Sequence, residues 1–203
     1  ALSVAVQCDA AVGLIEVPAA GDFGPLTVLY PTAGRPTLIQ REGFSLSVAV
    51  EGPPDIGAGR LVVISHGSPA SPWVYSDLAH SLVTAGFTVV FPEHYADNSK
   101  DSSEPGPPSW RRRPLEVSNA IDRLQRDARF ARQLDFTSVG MYGMSAGGHT
   151  ALTLAGGRWS PSRLRDHCQN HLADDFATCA GPSITLTGGI LDGPKKALVR
   201  AIN

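Results

Sequence analysis

The chain has 203 residues, of which 42% are hydrophobic and 18% are charged, and 17 basic against 19 acidic residues leave a net charge of −2. This length predicts one domain over residues 1–203 that is large enough for a substantial core. A near-balanced charge argues against nucleic acid or an anionic membrane surface as partner. No apolar run approaches the roughly 18 residues that span a bilayer, so we predict a soluble chain without a transmembrane segment.

The first third of the chain predicts a change of strand type. Two short strands, 12–17 and 26–30, flank a segment rich in proline and glycine, which is typical of an antiparallel hairpin. The alternating residues 44–50 predict another half-buried strand. Residues 61–65 read Leu-Val-Val-Ile-Ser, a continuous apolar run typical of a strand buried on both faces of a parallel sheet.

A β-α-β pattern follows that buried strand. His66-Gly67-Ser68-Pro69 comes directly after it, residues 73–85 predict a helix, and residues 88–91 predict the next strand. Such spacing predicts a parallel strand pair with a right-handed crossover.

The middle of the chain predicts a loop and then a helix. Residues 96–113 are polar, proline-rich and charged, which favours a surface loop over the carboxyl ends of the strands. Residues 115–132 have apolar side chains at helical spacing and predict an amphipathic helix that leads to a strand over 139–142.

The stretch from Gly143 to Gly147 contains the residues that indicate a catalytic activity. Gly143-Met144-Ser145-Ala146-Gly147 follows a short apolar run and opens an Ala/Leu/Thr segment, which is the strand, turn and helix context of the Gly-x-Ser-x-Gly nucleophile elbow. Small residues two before and two after Ser145 let the strand and the helix pass closely. The helix N-terminus brings free N–H groups to the serine, so one stretch supplies a nucleophile and an oxyanion stabiliser.

The pattern weakens after this elbow. Residues 160–176 predict one or two short helices, residues 179–194 are turn-rich, and residues 195–203 predict a last helix. No internal repeat or domain boundary is evident, so the fold class is α/β: antiparallel strands followed by β-α-β-α-β-elbow-α.

The three cysteines give information about the cellular compartment of the protein. Cys168 and Cys179 lie in one segment at a separation that a disulfide can close, and Cys8 is left over. The chain begins with Ala1 and no signal-peptide pattern precedes it, so we expect any targeting peptide to have been removed. Together these features favour secretion or a periplasmic location; the alternative is three reduced thiols in a cytosolic protein. The neighbouring histidines match no zinc pattern, so no metal is predicted.

Three motifs together resemble one superfamily. His66-Gly67 after the central strand, Pro92-Glu93-His94 after the next strand, and Gly143 to Gly148 with its Ala/Leu helix resemble the α/β-hydrolases. More narrowly, they resemble the dienelactone-hydrolase-like branch, which includes the secreted platelet-activating-factor acetylhydrolase type of lipases and esterases. The resemblance covers about residues 12–203 and implies an α/β-hydrolase fold, with a mixed, mostly parallel sheet and flanking helices. Residues 163–182 resemble an insertion that some bacterial members carry.

The resemblance implies roles for three residues. Ser145 is similar to the acyl-accepting nucleophile of the family, and the backbone N–H of Ala146 would be one oxyanion donor. The other donor would be Ser68, because Pro69 has no N–H. Dienelactone hydrolases carry a cysteine at the elbow, so the serine of this chain favours ordinary ester hydrolysis.

The catalytic acid and base are harder to place. In the superfamily they follow the nucleophile, first Asp or Glu and then His. His149 is one helical turn after Ser145 and is expected to point away from the hydroxyl. The acidic residues and histidines further along the chain follow no convincing buried strand. They are Asp166, His167, His171, Asp174, Asp175 and Asp192. His171 with Asp174 or Asp175 remains a possible base and acid within this chain. We therefore expect the acid and base in a C-terminal portion that is missing, cleaved or a separate chain, together with the C-terminal strands and a possible partner for Cys8.

These observations predict a serine hydrolase that cleaves a small-molecule or lipid-like carboxylic ester through an acyl-enzyme on Ser145, without a cofactor. An acyltransferase on the same fold and a non-catalytic α/β-hydrolase-like binding protein are the alternatives. The remaining conspicuous side chains receive structural interpretations. We expect His66 and His94 to hydrogen-bond loops, Trp73 and Trp110 to line an acyl pocket or pack over the sheet edge, and the arginines 111–113 to form a solvated face or to bind an anionic part of a substrate.

Overall fold

The computed structural model describes residues 11–55, 57, 59–158, 160–175 and 179. Seven strands form one mixed sheet in the order β3-β4-β1-β2-β6-β5-β7. The strands are β1 (Ala11–Val17), β2 (Leu26–Thr32), β3 (Thr37–Arg41), β4 (Phe44–Val50), β5 (Gly59–Ser65), β6 (Phe87–Pro92) and β7 (Leu134–Gly143). The helices are α1 (Ser76–Thr84), which follows a 3₁₀ turn over Pro72–Tyr75, α2 (Pro107–Arg126), α3 (Ala146–Leu154) and α4 (Pro161–His171).

The strand pairing confirms the predicted change of strand type. β1 and β2 pair in antiparallel fashion, whereas β5 pairs in parallel with both β6 and β7. Within β5, Leu61 and Val63 pack with α2 and Val62 and Ile64 pack with α1, so both faces of this strand are buried. A strand covered on both faces needs an apolar residue at every position, which explains its unbroken apolar sequence.

Two strands differ from their predictions. β3 was not predicted, and its side chains alternate between exposed and partly exposed, so it carries none of the buried apolar residues that identify a strand in a sequence. β7 begins five residues earlier than expected, at Leu134, and an irregularity in its register against β5 interrupts it between Asp135 and Val139. The polar residues of that irregular stretch hide the first half of the strand from a pattern search.

The helix α2 begins inside the stretch predicted to be a surface loop. We expected the helix to start at Leu115, because residues 96–113 are polar, proline-rich and charged. A proline inside a helix also lacks an N–H and clashes with the preceding turn. The structure instead starts it at Pro107, a position where proline is well tolerated, and continues through Pro114. Ser109 and Arg113 lie one turn apart before this proline, and both bind Asp97, so tertiary contacts hold the first turns in place.

In the described part of the segment after the elbow helix there is one helix, α4, which agrees with the expectation of one or two short helices over residues 160–176. A disulfide joins Cys168 in α4 to Cys179, which confirms the predicted pair. Cys8, Asp192, the turn-rich stretch beyond Cys179 and the helix expected over 195–203 lie outside the described residues. None of the helices in the described part is both long enough and apolar enough to cross a membrane.

Candidate active site

Ser145 lies at a sharp turn between β7 and α3. Its backbone has φ 53° and ψ −119°, a conformation that side-chain-bearing residues rarely adopt, and it precedes the first helical residue, Ala146. A residue in such a conformation costs about 1–3 kcal/mol and is retained where the surroundings force it. Ser145 is exposed, so the turn presents its hydroxyl to solvent.

Two glycines make this turn possible. A Cβ on Gly143 would lie 2.1 Å from the carbonyl oxygen of Gly147, and a Cβ on Gly147 would lie 1.9 Å from the carbonyl oxygen of Ser65. Both distances are far below any real contact, so a side chain at either position is incompatible with this geometry. The elbow is therefore held by backbone packed directly against backbone, as the small residues on either side of Ser145 predicted.

The loop that follows β5, residues 66–70 and called the β5 loop below, lies against the elbow. A Cβ placed on Gly67 would be 3.8 Å from the Cβ of Ser145 and 3.6 Å from Cε of Met144. The N–H of Gly67 donates to the hydroxyl of Tyr75 at 3.3 Å. Among the described residues, the N–H of Ser68 and the N–H of Ala146 have no acceptor, the latter because it is the first of the helix. One of these free donors belongs to the elbow, and the other belongs to the β5 loop that lies against it.

A buried arginine holds the β5 loop from behind. Arg113 is fully buried, and its guanidinium donates to the carbonyl oxygens of His66 (2.5 Å) and Gly67 (3.1 Å). It also binds the carboxylate of Asp97 through Nε (3.1 Å) and Nη2 (2.9 Å). Asp97 in turn accepts from the hydroxyls of Ser68 (2.5 Å) and Ser109. The prediction that arginines 111–113 form a solvated face is wrong for Arg113, because its charge is matched inside the protein.

A second buried chain of hydrogen bonds lies beside the first. Ser65 Oγ is 2.7 Å from His94 Nε2, and His94 Nδ1 is 2.5 Å from Glu116 Oε2. Glu116 also accepts the N–H of Tyr95 at 3.0 Å. This connectivity is that of a Ser-His-acid triad, but Ser65 and His94 are 0% exposed and Glu116 is 3% exposed. Since no substrate carbonyl can reach Ser65, these hydrogen bonds serve to hold β5, β6 and α2 together inside the protein.

Burial controls the charge state of this region. Burial, together with the neighbouring His94 and Arg113, lowers the pKa of His66 to about 3. The pKa of His94 is also well below its usual value, first because of burial and then because of Arg113. Burial raises the pKa of Glu116 to about 7. Both histidines are therefore neutral at physiological pH. His66 hydrogen-bonds its own loop as expected, through Nδ1 to Gly67 O (2.8 Å), whereas the ring of His94 bonds a strand residue and a helix residue instead of a loop.

Among the described residues, the Ser145 hydroxyl forms no hydrogen bond with a side chain. No base for Ser145 is therefore identified in this part of the protein. His149 lies in α3 with its ring 5.0 Å from that of Trp110. The two candidate histidines further along the chain pair with aspartates on an exposed surface, and Asp166 pairs with Arg165. His167 Nε2 is 3.1 Å from Asp175, and His171 Nδ1 is 3.7 Å from Asp174.

The two tryptophans singled out in the sequence have different surroundings. Trp73 is buried in the core between the sheet and α1, where it also borders a cavity of about 240 Å³ near Glu93 and Lys100. Neither the β5 loop nor the elbow lines that cavity. Trp110 is half-buried and lies against the elbow helix through His149. Of the two, Trp110 is the one placed beside the helix that follows Ser145.

Comparisons with known proteins support the fold. No family model and no curated protein matches the chain. Among solved structures, a ferulic acid esterase from Streptomyces cinnamoneus matches with 20% identity and a TM-score of 0.55 over 73% of this chain. An acylaminoacyl peptidase from Pyrococcus horikoshii matches with 17% identity and a TM-score of 0.43 over 72% of this chain. The chain spans 55% of the length of the esterase and 22% of that of the peptidase. With its mixed sheet and flanking helices, the chain has the α/β-hydrolase fold that the sequence motifs predicted.

Proposed function

We propose that this chain is part of a serine hydrolase that cleaves carboxylic esters through an acyl-enzyme on Ser145. The observation that carries the proposal is the exposed, strained Ser145, with one N–H without an acceptor in the elbow and another in the β5 loop that lies against it. A backbone strained in this way is expected where function requires it. The fold shared with the ferulic acid esterase agrees with this activity, and a small-molecule ester is the substrate class we assign to the site.

In the proposed reaction, the Ser145 oxygen attacks the ester carbonyl carbon and its proton passes to a histidine base. The tetrahedral oxyanion is bound by the N–H groups of Ser68 and Ala146, and the base then returns the proton to the departing alcohol oxygen. Water attacks the acyl-enzyme by the same route in reverse and releases the carboxylic acid. Preorganised N–H donors at such a position are worth about 10²–10³ in rate each.

We propose that the histidine base and its acid come from a segment of the protein outside this chain. A serine hydroxyl without a base is a weak nucleophile at neutral pH. Within the described residues, His66 and His94 are fully buried, and His167 and His171 face exposed aspartates. All six histidines of the chain lie among the described residues, so a segment of the protein outside this chain is the proposed source of the base.

Labelling with a fluorophosphonate probe tests the nucleophile. We expect one adduct on Ser145 in the intact native protein and its complete loss in Ser145→Ala, together with a fall of about 10³-fold or more in hydrolysis of p-nitrophenyl butyrate. Ser65→Ala is the matched control, because Ser65 hydrogen-bonds His94 but is buried; this variant should keep the adduct. An adduct that persists in Ser145→Ala would refute the proposal, and no adduct in the wild type would favour a non-catalytic binding protein.

Product analysis separates hydrolysis from acyl transfer. With glycerol present as acceptor, the proposed hydrolase should release mainly free butyrate, because water reaches an exposed Ser145. Accumulation of glyceryl butyrate as the main product would assign an acyltransferase on the same fold.

We also propose that the protein is exported to an oxidising compartment. The disulfide between Cys168 and Cys179 supports this location, because such bonds persist mainly outside the cytosol. Alkylation of free thiols in protein isolated from its natural source, followed by mass analysis, tests it. Unmodified, disulfide-bonded Cys168 and Cys179 are expected; alkylation of both would indicate a reducing compartment.

A further inference from the structure

Arg113 is a buried charged side chain of α2 that reaches the β5 loop. It comes from the second turn of α2 and is 0% exposed, although burying a guanidinium is costly unless every donor is paired. Replacing a buried ion pair by apolar side chains is often neutral or stabilising, so a buried pair is weak evidence for a role in stability. The contacts of Arg113 indicate what else it does.

Its two terminal nitrogens bind two successive carbonyl groups of the β5 loop, those of His66 and Gly67. In a planar trans peptide the C=O of one residue and the N–H of the next point in opposite directions. With both carbonyls directed at Arg113, the N–H groups of Gly67 and Ser68 are directed to the other side. Consistent with this, the Gly67 N–H reaches the Tyr75 hydroxyl, which leaves the Ser68 N–H as the donor without an acceptor in the described residues.

Asp97 completes the arrangement. One of its carboxylate oxygens, Oδ2, accepts from Arg113 and Ser109, and the other, Oδ1, accepts from the Ser68 hydroxyl at 2.5 Å. Three consecutive residues of the β5 loop are thereby held by one ion pair: His66 and Gly67 by their carbonyls and Ser68 by its side chain. The loop contacts the elbow on its other side, where Gly67 faces Ser145.

We propose that Arg113, paired with Asp97, is a positioning residue that orients the Ser68 N–H toward the oxyanion formed at Ser145. The inference rests on the proposed function. Arg113 acts through the loop and does not touch the substrate. Arginine suits the task because its planar fork reaches two carbonyls and a carboxylate at once, which a lysine ammonium cannot do. A small change in donor position is sufficient to affect catalysis, since a misplacement of about 1 Å costs on the order of 100-fold in rate.

The test compares Arg113→Met and Arg113→Lys with wild type in the intact native protein, using p-nitrophenyl butyrate as substrate and a butyl trifluoromethyl ketone as tetrahedral inhibitor. We expect kcat to fall roughly 100-fold in Arg113→Met and less in Arg113→Lys, with KM changed less than about threefold. The inhibition constant of the ketone should rise in proportion to the fall in kcat/KM, because only the tetrahedral adduct uses the oriented N–H.

Arg123 supplies a matched control on the same helix. It also binds two backbone carbonyls, those of Gly24 (2.7 Å) and Pro18, but in the loop between β1 and β2. Arg123→Met should lower stability without changing kcat or the inhibition constant of the ketone. An equal kinetic loss in both variants would overturn the inference, because it would indicate a general loss of packing.

Ser68→Ala provides a second test of the inference in case Arg113→Met fails to fold. It removes the hydrogen bond from the Ser68 hydroxyl to Asp97 and keeps the backbone N–H, so kcat should fall several-fold while KM is unchanged. An unchanged kcat, or a loss confined to KM, would overturn the inference while leaving Ser145 labelling and the proposed function intact. Absence of any Ser145-dependent hydrolysis in the wild type would instead refute the proposed function, and the inference with it.

Discussion

The elbow and the β5 loop meet at Ser145, but different forces hold them. At the elbow, backbone packs directly on backbone, and the requirement is the absence of a side chain at Gly143 and Gly147. The β5 loop is held by a buried charge pair, Arg113 and Asp97, that reaches it from two other parts of the chain. One half of the site therefore depends on sterics and the other on electrostatics, so substitutions should affect the two halves in different ways.

The largest effect is expected at the ion pair. Asp97→Ala leaves the Arg113 guanidinium buried without its partner, and breaking a buried pair in this way costs about 3–5 kcal/mol in the free energy of unfolding. Asp122→Ala is the control, since Asp122 pairs with Arg126 at 3.5 Å on an exposed helix face and should cost less than about 0.5 kcal/mol. Urea unfolding of both variants measures the difference. Similar losses in the free energy of unfolding for the two variants would show that the buried pair contributes no more to stability than the exposed pair.

A smaller effect is expected at the elbow. Gly147→Ala places a methyl group 1.9 Å from the Ser65 carbonyl oxygen, and relieving such overpacking costs about 1–3 kcal/mol by shifting α3 away from β5. The neighbouring Gly148 is the control: a Cβ there would lie 3.4 Å from the nearest backbone oxygen, and alanine favours a helix. Gly148→Ala should match or exceed wild-type stability in thermal unfolding. A Gly147→Ala protein as stable as wild type would contradict the steric account of the elbow.

The smallest effect concerns pH and the buried histidines. His66 and His94 stay neutral in the folded state but take up protons near their ordinary pKa when unfolded, so stability falls as the pH drops below about 6.5. Glu116 opposes this trend. Its folded pKa of about 7 lies above the unfolded value, so it contributes stability that is present at low pH and lost as the pH rises through 7.

Glu116→Gln isolates that opposing contribution. Between pH 6.5 and 4.5 the variant should lose stability faster than wild type by about one proton, roughly 1 kcal/mol per pH unit. Urea unfolding at several pH values measures both slopes, and the groups common to the two proteins cancel in the difference. Equal slopes would show that Glu116 does not hold an extra proton in the folded state.

Much of the fold was predictable because it follows from local pattern. The unbroken apolar run of β5 indicated a strand buried on both faces, and Gly143 and Gly147 around Ser145 indicated a tight strand-to-helix turn. The exposed edge strand β3 escaped prediction because its residues carry no buried periodicity. The start of α2 escaped prediction because residues 96–113 have the composition of a surface loop, whereas contacts with Asp97 hold the first turns of the helix in place.

The elbow, its serine and the free N–H of Ala146 are properties of five adjacent residues, so their arrangement is encoded in that short stretch and was recognised there. The orientation of Ser68 is of another kind. It depends on Arg113 and Asp97, which are 45 and 29 positions away from Ser68 and read as solvated loop residues until α2 packs on the sheet. Local spacing cannot show that a charged side chain is buried, because burial and pairing arise only when distant segments come together.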